Sequence, residues 1–167
     1  SGYVATSDTV DVLDYETLTV EFAKDSIVEN EGSKATTLVV TRSNTDRAAA
    51  QAITLTNGDG TELSLPASAT IAANEASVTI DVGAVDDTLL DGTQTVAVTA
   101  TASGYVAIND TIDVLDYETV TITVDPTSIS ENAGSEAATA TVTRSNTDRS
   151  AALTVNLSNS DTSEASI

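Results

Sequence analysis

The stretch Ala76–Val82 reads ASVTIDV and decides the fold. Apolar and polar side chains alternate along it, so Val78, Ile80 and Val82 fall on one face, which is the pattern of a half-buried β-strand. Three further stretches alternate in the same way: 17–22, 93–99 and 110–114. Turn-forming residues separate these stretches, and no window shows the periodicity of a helix. The alternation therefore predicts an all-β protein.

The chain also repeats itself over a long distance. Ser1–Ala5 (SGYVA) recurs as Ser103–Ala107, and Thr41–Arg47 (TRSNTDR) recurs as Thr143–Arg149, both at an offset of 102 residues. A period of about 100 residues is the length of a whole domain and is too long for a solenoid repeat. About seven short strands in one period predict tandem immunoglobulin-like antiparallel β-sandwich modules.

The period divides the chain into three parts. We predict that residues 1–16 are the last strand of a preceding module, residues 17–118 are a complete module, and residues 119–167 are the first half of the next. No Gly-rich or Pro-rich linker lies near residue 118. A join this short predicts neighbouring modules that sit end to end with limited freedom.

Composition narrows the possible functions. The chain has 26 Asp or Glu against 6 Lys or Arg, a net charge of -20, and neither His nor Cys. This balance argues against nucleic acid and anionic membrane surfaces as partners, and no apolar stretch is long enough for membrane insertion. The commonest catalytic bases and thiol nucleophiles are missing, and few aromatic residues are available to line a cleft, so we predict no enzyme.

An acidic chain rich in oxygen ligands suits a hard cation such as Ca²⁺, although acidic residues also serve solubility alone. The carboxylates fall in four loops that can share one end of the predicted sandwich. These residues are Glu29, Asp59, Asp86, Asp87, Asp91, Asp116 and Glu118. So many carboxylates in one place repel one another unless a cation lies among them. Arg42 and Arg47 flank a polar turn, and we interpret them as surface ion-pair partners of nearby acids.

Three motifs carry a resemblance to a known family. They are Ser26–Gly32 with its copy Ser128–Gly134, Val85–Val96, and Asp113–Asp116. In this order and spacing the sequence resembles the Calx-beta family, the modules that form the calcium-sensing pair of sodium–calcium exchangers and recur in tandem in large bacterial surface proteins.

The resemblance implies a set of Ca²⁺ ligands. By the family's pattern they are Glu29, Asp59, Asp86, Asp87, the backbone carbonyl of Leu89, Asp91, Asp116 and Glu118. The chain departs from calcium-sensing members where Thr88, Gly92 and Gln94 stand in place of acids, and where Tyr117 interrupts the closing acidic run. Because these changes remove charge, we expect one or two Ca²⁺ ions per module.

The resemblance and the repeat together favour a calcium-binding structural repeat of a long extracellular or cell-surface adhesin, stalk or filament, in which calcium stiffens the module ends and joins. The expected partners are neighbouring copies of the module, with a homopolymer through open strand edges as a further possibility. Two alternatives stay open. One is a calcium-sensing regulatory module like those of the exchangers, and the other is a metal-free spacer or fibre subunit.

Overall fold

A computed structural model describes residues 2–12 and 15–167. In chain order its strands are β1 (Glu16–Phe22), β2 (Ser26–Val28), β3 (Thr36–Arg42), β4 (Gln51–Asn57), β5 (Leu63–Ser64), β6 (Ser68–Ile71), β7 (Ser77–Ala84), β8 (Gln94–Thr101), β9 (Tyr105–Val106), β10 (Ile108–Leu115), β11 (Val120–Asp125) and β12 (Thr139–Arg144). A 3₁₀ helix, Glu29–Lys34, follows β2. Within the described residues, no helix has the length and apolarity that a membrane crossing requires.

The first ten strands form two five-stranded sheets. One has the order β5-β7-β3-β1-β9, and the other has the order β2-β10-β8-β4-β6. The predicted all-β sandwich is confirmed. Seven of the ten strands contain four or more residues, and β2, β5 and β9 are the short additions. Two of these short strands pair in parallel at the sheet edges, β9 with β1 and β2 with β10.

The core between the two sheets is made of small aliphatic side chains. Leu38, Val40 and Val82 of the first sheet are fully buried, as are Ile53 and Val98 of the second. Phe22 is the only phenylalanine of the chain, and it lies at the margin of this core. Burial on alternate residues of β3 and β8 follows the period of two expected for strands with one face on the core.

The segments outside the two sheets repeat parts of the module. Strands β11 and β12 form a separate two-stranded sheet in which Val120 pairs with Arg144, just as Leu18 pairs with Arg42 in β1 and β3. Residues 2–12 form no strand. The proposed module boundaries at residues 16 and 118 stay a prediction.

The interpretation of Arg42 as a surface ion-pair partner is wrong. Its side chain is 3% exposed, and its guanidinium donates hydrogen bonds to the backbone oxygens of Ala49 (3.0 Å) and Glu75 (2.8 and 3.0 Å). Burial of an arginine requires partners for its donors, and the carbonyls of two adjacent loops provide them here. Arg42 therefore links, through these hydrogen bonds, the two loops that lie beside the end of β3.

Gly83 positions the 3₁₀ helix against β7. A Cβ atom at this position would lie 2.8 Å from Ser33 Cα and 3.2 Å from the Gly32 oxygen, both of which are backbone atoms. We expect Gly83→Ala to lower the free energy of unfolding by about 1–3 kcal/mol, because the helix must move away. Urea denaturation measures this change.

Gly60→Ala is the matched control, since no atom lies within 4 Å of a Cβ at that position. We expect it to change the stability by less than about 0.5 kcal/mol. Equal effects of the two substitutions would contradict this account of Gly83.

Candidate metal centre

Parallel pairing of β2 with β10 brings the first two carboxylates of the site together. Val28 lies opposite Leu115 in this pairing. The next residues along the two strands are Glu29 and Asp116, so the register itself places these acids side by side at the strand ends. The Glu31 side chain accepts a hydrogen bond from the Val28 N–H (3.1 Å) and thereby fixes the turn that begins at Glu29.

A second short pairing brings Glu62 to the same place. Leu63 of β5 pairs with Ala84 of β7, and the Val85 N–H donates a 2.9 Å hydrogen bond to the Glu62 backbone oxygen. Glu62 is therefore held beside the start of the acidic loop 85–93, which carries Asp91.

Glu29, Glu62 and Asp91, which we call the acidic cluster, each place one carboxylate oxygen within 4.8 Å of the other two. Glu29 is 1% exposed and Glu62 is 3% exposed, whereas Asp91 is exposed to solvent. The cluster thus has two buried walls and one open side.

Among the described residues, four carboxylate oxygens at this end of the module are buried and have no hydrogen-bond partner. They are Glu29 Oε2, Glu62 Oε2, Asp116 Oδ1 and Glu118 Oε1. Leaving such oxygens buried and unpaired costs free energy, and the cost is larger for a charged group. An unpaired set on three neighbouring segments fits a site that is completed by a cation or by protons.

The proton affinities of these groups follow from their burial. Burial raises the pKa of Glu29 from 4.5 to about 7, and the negative charges of Glu62, Asp116, Asp87 and Asp91 add to this shift. The pKa of Glu62 is raised by burial first and then by the charge of Asp91. Both effects penalise the charged form, so bringing a positive charge into the cluster is favourable.

Asp116 is held by one strong local contact. Its Oδ2 accepts a 2.8 Å hydrogen bond from the Gly92 N–H, which lowers its pKa, but burial and the nearby Asp91 side chain outweigh this contact and raise the pKa. Gly92 has a φ of +86°, a conformation that L side chains rarely adopt, so the turn that aims its N–H at Asp116 favours glycine.

The lysines of the module form ion pairs away from the cluster. Among the described residues, the salt bridges join Lys24 to Glu31 and Lys34 to Asp81, each at 2.6 Å. The acidic cluster belongs to neither pair. Its negative charge is therefore not balanced by either of these salt bridges.

The structure gathers only part of the predicted ligand set. Asp87 is half-buried, and its charge acts on both Glu29 and Glu62, whereas its neighbour Asp86 is exposed. Leu89 is also exposed, and its N–H donates to Asp87 Oδ1 at 2.6 Å. The assignment of Asp86 and of the Leu89 carbonyl as ligands stays a prediction.

Asp59 lies near Glu62, but its carboxylate accepts hydrogen bonds within its own turn. Its Oδ1 accepts hydrogen bonds from the Thr61 hydroxyl (2.6 Å) and the Thr61 N–H (2.9 Å), and these contacts lower the pKa of Asp59. The Asp59 charge also raises the pKa of Glu62. This is the local role that Asp takes in a polar turn, and ligation by Asp59 stays a prediction.

Glu118 lies in the short stretch between β10 and β11. Its Oε2 accepts a hydrogen bond from the Ser145 hydroxyl, and its negative charge raises the pKa of Asp116. Through these two contacts Glu118 connects the closing acidic run of the module to the loop after β12.

Sequence reasoning missed Glu62, which is one of the two most buried acids of the site. It lies three residues beyond Asp59, which draws attention because it occupies an Asn-Gly-Asp-Gly turn. In the structure Glu62 directly precedes Leu63, which begins β5. An acid at a strand end has its backbone position fixed by pairing, which a turn residue lacks.

No protein-family model matches the sequence, and none of the curated proteins matches it. Among solved structures, the chain is similar to the apo form of the Calx CBD1 domain, with 15% identity over 60% of this chain and 98% of that chain and a TM-score of 0.47. It is also similar to the calcium binding domain CBD12 of CALX1.1, with 11% identity over 77% of this chain and 70% of that chain and a TM-score of 0.47.

A third similar structure is the E. coli chaperone DraB, with 8% identity over 63% of this chain and 57% of that chain and a TM-score of 0.41. The similar structures therefore include Calx domains, at low identity. All three TM-scores lie below 0.5, so none of these likenesses bears on the chemistry of this chain. What the site does is inferred from its own residues.

The raised pKa of Glu29 predicts how stability depends on pH in the metal-free protein. The folded state holds the Glu29 proton more tightly than the unfolded chain does, so the free energy of unfolding falls as the pH rises from about 4.5 to about 7. The contribution of Glu29 to this fall is at most about 3 kcal/mol. Urea denaturation at several pH values with chelator present measures it.

Glu29→Gln removes the titrating group, so we expect this variant to lose less stability over the same pH range. Glu131→Gln is the matched control, because Glu131 is the exposed counterpart of Glu29 in the repeat. Equal pH dependence in the Glu29→Gln variant and the unchanged protein would show that Glu29 is not the group responsible.

Proposed function

We propose that residues 17–118 form a calcium-binding module of the Calx-beta type, which serves as a structural repeat in a long extracellular or cell-surface protein. One observation carries the proposal. In the part of the chain that the structure describes, buried carboxylate oxygens without hydrogen-bond partners converge from separate loops on one end of the sandwich. If these acids served only solubility, their carboxylate oxygens would be exposed to water.

The chemistry of the site favours Ca²⁺ among common cations. Its donors are carboxylate oxygens, and the chain has no His or Cys to attract softer transition metals. Ca²⁺ accepts about six to eight oxygen ligands in irregular geometry, whereas Mg²⁺ demands a near-ideal octahedron. A site assembled from several loops, with one exposed member, suits the less demanding ion.

The ligands fall into two groups, which supports one or two ions. The acidic cluster of Glu29, Glu62 and Asp91 would hold the first ion, with Asp87 nearby. Asp116 and Glu118 each keep one buried oxygen without a partner and would serve a second ion or complete the first. A bound ion would neutralise the repulsion that raises the pKa of Glu29 and Glu62.

Calcium would also stiffen the join with the following segment. Thr147 donates its N–H to the Thr88 backbone oxygen at 2.7 Å, and Asp148 accepts from the Leu90 N–H at 3.1 Å. Both partners belong to the acidic loop 85–93. Ordering that loop around an ion would therefore order the contact to the next unit as well.

A structural role fits the rest of the chain better than catalysis does. The chain offers no His or Cys and few aromatic residues, and its acidic cluster is walled by strand ends and turns. Tandem copies with a short join are suited to an extended stalk, adhesin or filament. Extracellular calcium-binding modules work at about 10⁻⁴–10⁻³ M Ca²⁺, which a site with two buried acids can match.

Two alternative functions can be distinguished from a calcium-binding structural repeat. A calcium-sensing regulatory module would need a change of conformation on binding that is transmitted to a coupled protein. A metal-free spacer would need neither ion nor response. The contacts between the acidic loop and residues 147 and 148 favour the structural reading, since they link the site to the next repeat.

The decisive experiment is unfolding in Ca²⁺, in Mg²⁺ and with chelator. At a Ca²⁺ concentration of about 100 times the Kd, we expect the free energy of unfolding to rise by about 2.7 kcal/mol, because the ion binds only the folded state. We expect Mg²⁺ to give a much smaller rise. Superimposable curves in all three conditions would contradict the proposal and favour the metal-free spacer.

Matched variants locate the ion. Glu62→Gln should remove most of the calcium-dependent gain, because it removes one charge from the acidic cluster. Glu164→Gln should leave the gain intact, since Glu164 is the exposed counterpart of Glu62 at the repeat offset. For each variant, the quantity to compare is the difference between its free energy of unfolding in Ca²⁺ and with chelator. This is needed because removing a repelling charge also changes the stability of the metal-free protein.

A further prediction concerns the join. We expect Ca²⁺ to narrow the distribution of distances between spin labels attached at Thr70→Cys and Thr141→Cys, because the ordered loop 85–93 holds residues 147 and 148. Both label positions are exposed, and the chain has no Cys of its own. Asp148→Ala should broaden the distribution in Ca²⁺, whereas its repeat counterpart Asp46→Ala should not. A width that does not change with Ca²⁺ would count against a calcium-stiffened join.

A further inference from the structure

We propose that Asn57 is a positioning residue for Glu62, because its side chain closes the loop of residues 58–62, which we call the crossover loop. The inference deepens the proposed function and rests on it, since Glu62 is the acid that would bind the cation. Asn57 belongs neither to the acidic cluster nor to the predicted ligand set.

The crossover loop connects the two sheets of the module. It leaves the end of β4 in the second sheet and enters the start of β5 in the first. At its beginning, the Gly58 N–H donates a 2.9 Å hydrogen bond to the Ala97 oxygen of β8. At its end, the Glu62 oxygen accepts a 2.9 Å hydrogen bond from the Val85 N–H. The path of this loop therefore decides where Glu62 lies.

The Asn57 side chain joins the two ends of the crossover loop. Its Nδ2 donates a 2.8 Å hydrogen bond to the Leu63 oxygen, and its Oδ1 accepts a 3.2 Å hydrogen bond from the Asp59 N–H. An amide side chain can donate and accept at the same time, which both contacts together require. Leu63 directly follows Glu62, so the first contact holds the backbone next to the buried acid.

Further hydrogen bonds complete the crossover loop from within. Asp59 Oδ1 accepts from the Thr61 N–H and hydroxyl, and the Leu63 N–H donates to the Asp59 backbone oxygen at 3.2 Å. With the two contacts of Asn57, five hydrogen bonds lie within residues 57–63. Hydrogen bonds of this local kind need no partner from a distant part of the chain.

The second copy of the repeat contains the same five hydrogen bonds. Asn159 donates to the Ala165 oxygen and accepts from the Asp161 N–H at 3.0 Å. Ser163 donates to Asp161 Oδ1 through its N–H (3.0 Å) and its hydroxyl (2.6 Å), and the Ala165 N–H donates to the Asp161 oxygen at 3.3 Å. None of the residues 145–167 belongs to a strand. The loop thus keeps its hydrogen bonds without a paired strand beside it.

The two copies share the residues whose side chains form these bonds. Residues 57–63 read NGDGTEL, and residues 159–165 read NSDTSEA. Asn and Asp are identical, and Ser replaces Thr, which keeps the hydroxyl. Both Gly residues and the Leu, which contribute only backbone groups to the loop, are replaced. This is the pattern expected of a loop whose shape is set by its Asn, Asp and hydroxyl side chains.

A loop closed in this way would place Glu62 before a cation arrives. A ligand that is already in position loses less conformational entropy on binding than one that the ion must order. Without the contacts of Asn57, part of the binding free energy would be spent on ordering the crossover loop. We therefore expect the loss of these contacts to weaken Ca²⁺ binding in a protein that is still folded.

Amide hydrogen exchange of the metal-free chain tests the positioning directly. Asn57→Ala should speed exchange of the Val85 amide by about tenfold or more, because the Glu62 oxygen holds that amide. The Leu38 amide, in the central strand β3, reports on unfolding of the whole module and should change much less. Unchanged exchange at Val85, or equal acceleration at Leu38, would overturn the proposal.

Asn57→Asp separates the two contacts of Asn57 and carries the test if Asn57→Ala does not fold. A carboxylate still accepts from the Asp59 N–H but has no donor for the Leu63 oxygen. We expect a smaller acceleration at Val85 than in Asn57→Ala. If Asn57→Asp leaves exchange at Val85 as it is in the unchanged chain, the bond to Leu63 does not hold Glu62, and the proposal is wrong.

Calorimetric titration of the whole chain with Ca²⁺ tests the consequence for the site. Asn57→Ala should raise the Kd by about tenfold, the effect of losing about one hydrogen bond. Asn159→Ala is the matched control, since it removes the same contacts from the second copy and should leave the Kd unchanged. Thr61→Ser should also leave it unchanged, because Ser163 forms the same bonds.

The outcomes separate this proposal from the proposed function. An equal Kd in Asn57→Ala and in the unchanged chain would overturn the role of Asn57 and leave the calcium site standing. An unchanged chain that binds no Ca²⁺ would contradict the proposed function, and hydrogen exchange at Val85 would still decide whether Asn57 holds Glu62 in place.

Discussion

Parallel pairing between β2 and β10 is the constraint on which the acidic end of the module depends. Three paired residues hold Val28 opposite Leu115, so the acids that follow, Glu29 and Asp116, begin from neighbouring backbone positions. The backbone hydrogen bonds between β2 and β10 therefore bring two mutually repelling carboxylates close together. The sandwich core, with its fully buried valines and leucines, holds the two strands together against that repulsion, and Glu29 is buried where solvent screens its charge only weakly.

The fold was predictable from the sequence because its two signals are independent. Alternation of side chains identifies strands locally, and the offset of 102 residues gives the size of the module. The site was only partly predictable. Glu29, Asp91 and Asp116 lie in motifs, but Glu62 reaches the cluster through the two-residue strand β5, which is too short to leave a periodic pattern.

Arg42 illustrates a second limit of sequence patterns. An arginine beside a polar turn resembles a surface residue, and its charge suggests a carboxylate partner. The structure instead buries it among backbone oxygens of the loops around Ala49 and Glu75. Backbone oxygens are present at every residue and leave no trace in the sequence. A pattern of side chains can therefore indicate that an arginine has carboxylate partners, but it cannot indicate backbone oxygens as its partners.

The two copies of the repeat show that the same sequence motif can be buried in one place and exposed in another. Glu29 and Glu131 occupy the same position in the same motif, yet Glu29 is buried and Glu131 is exposed. Leu18 and its counterpart Val120 differ in the same way. In the first copy, β7 packs against the 3₁₀ helix that begins at Glu29, and β10 pairs with β2 just before that helix. The burial of Glu29 therefore comes from these contacts and not from its own motif alone.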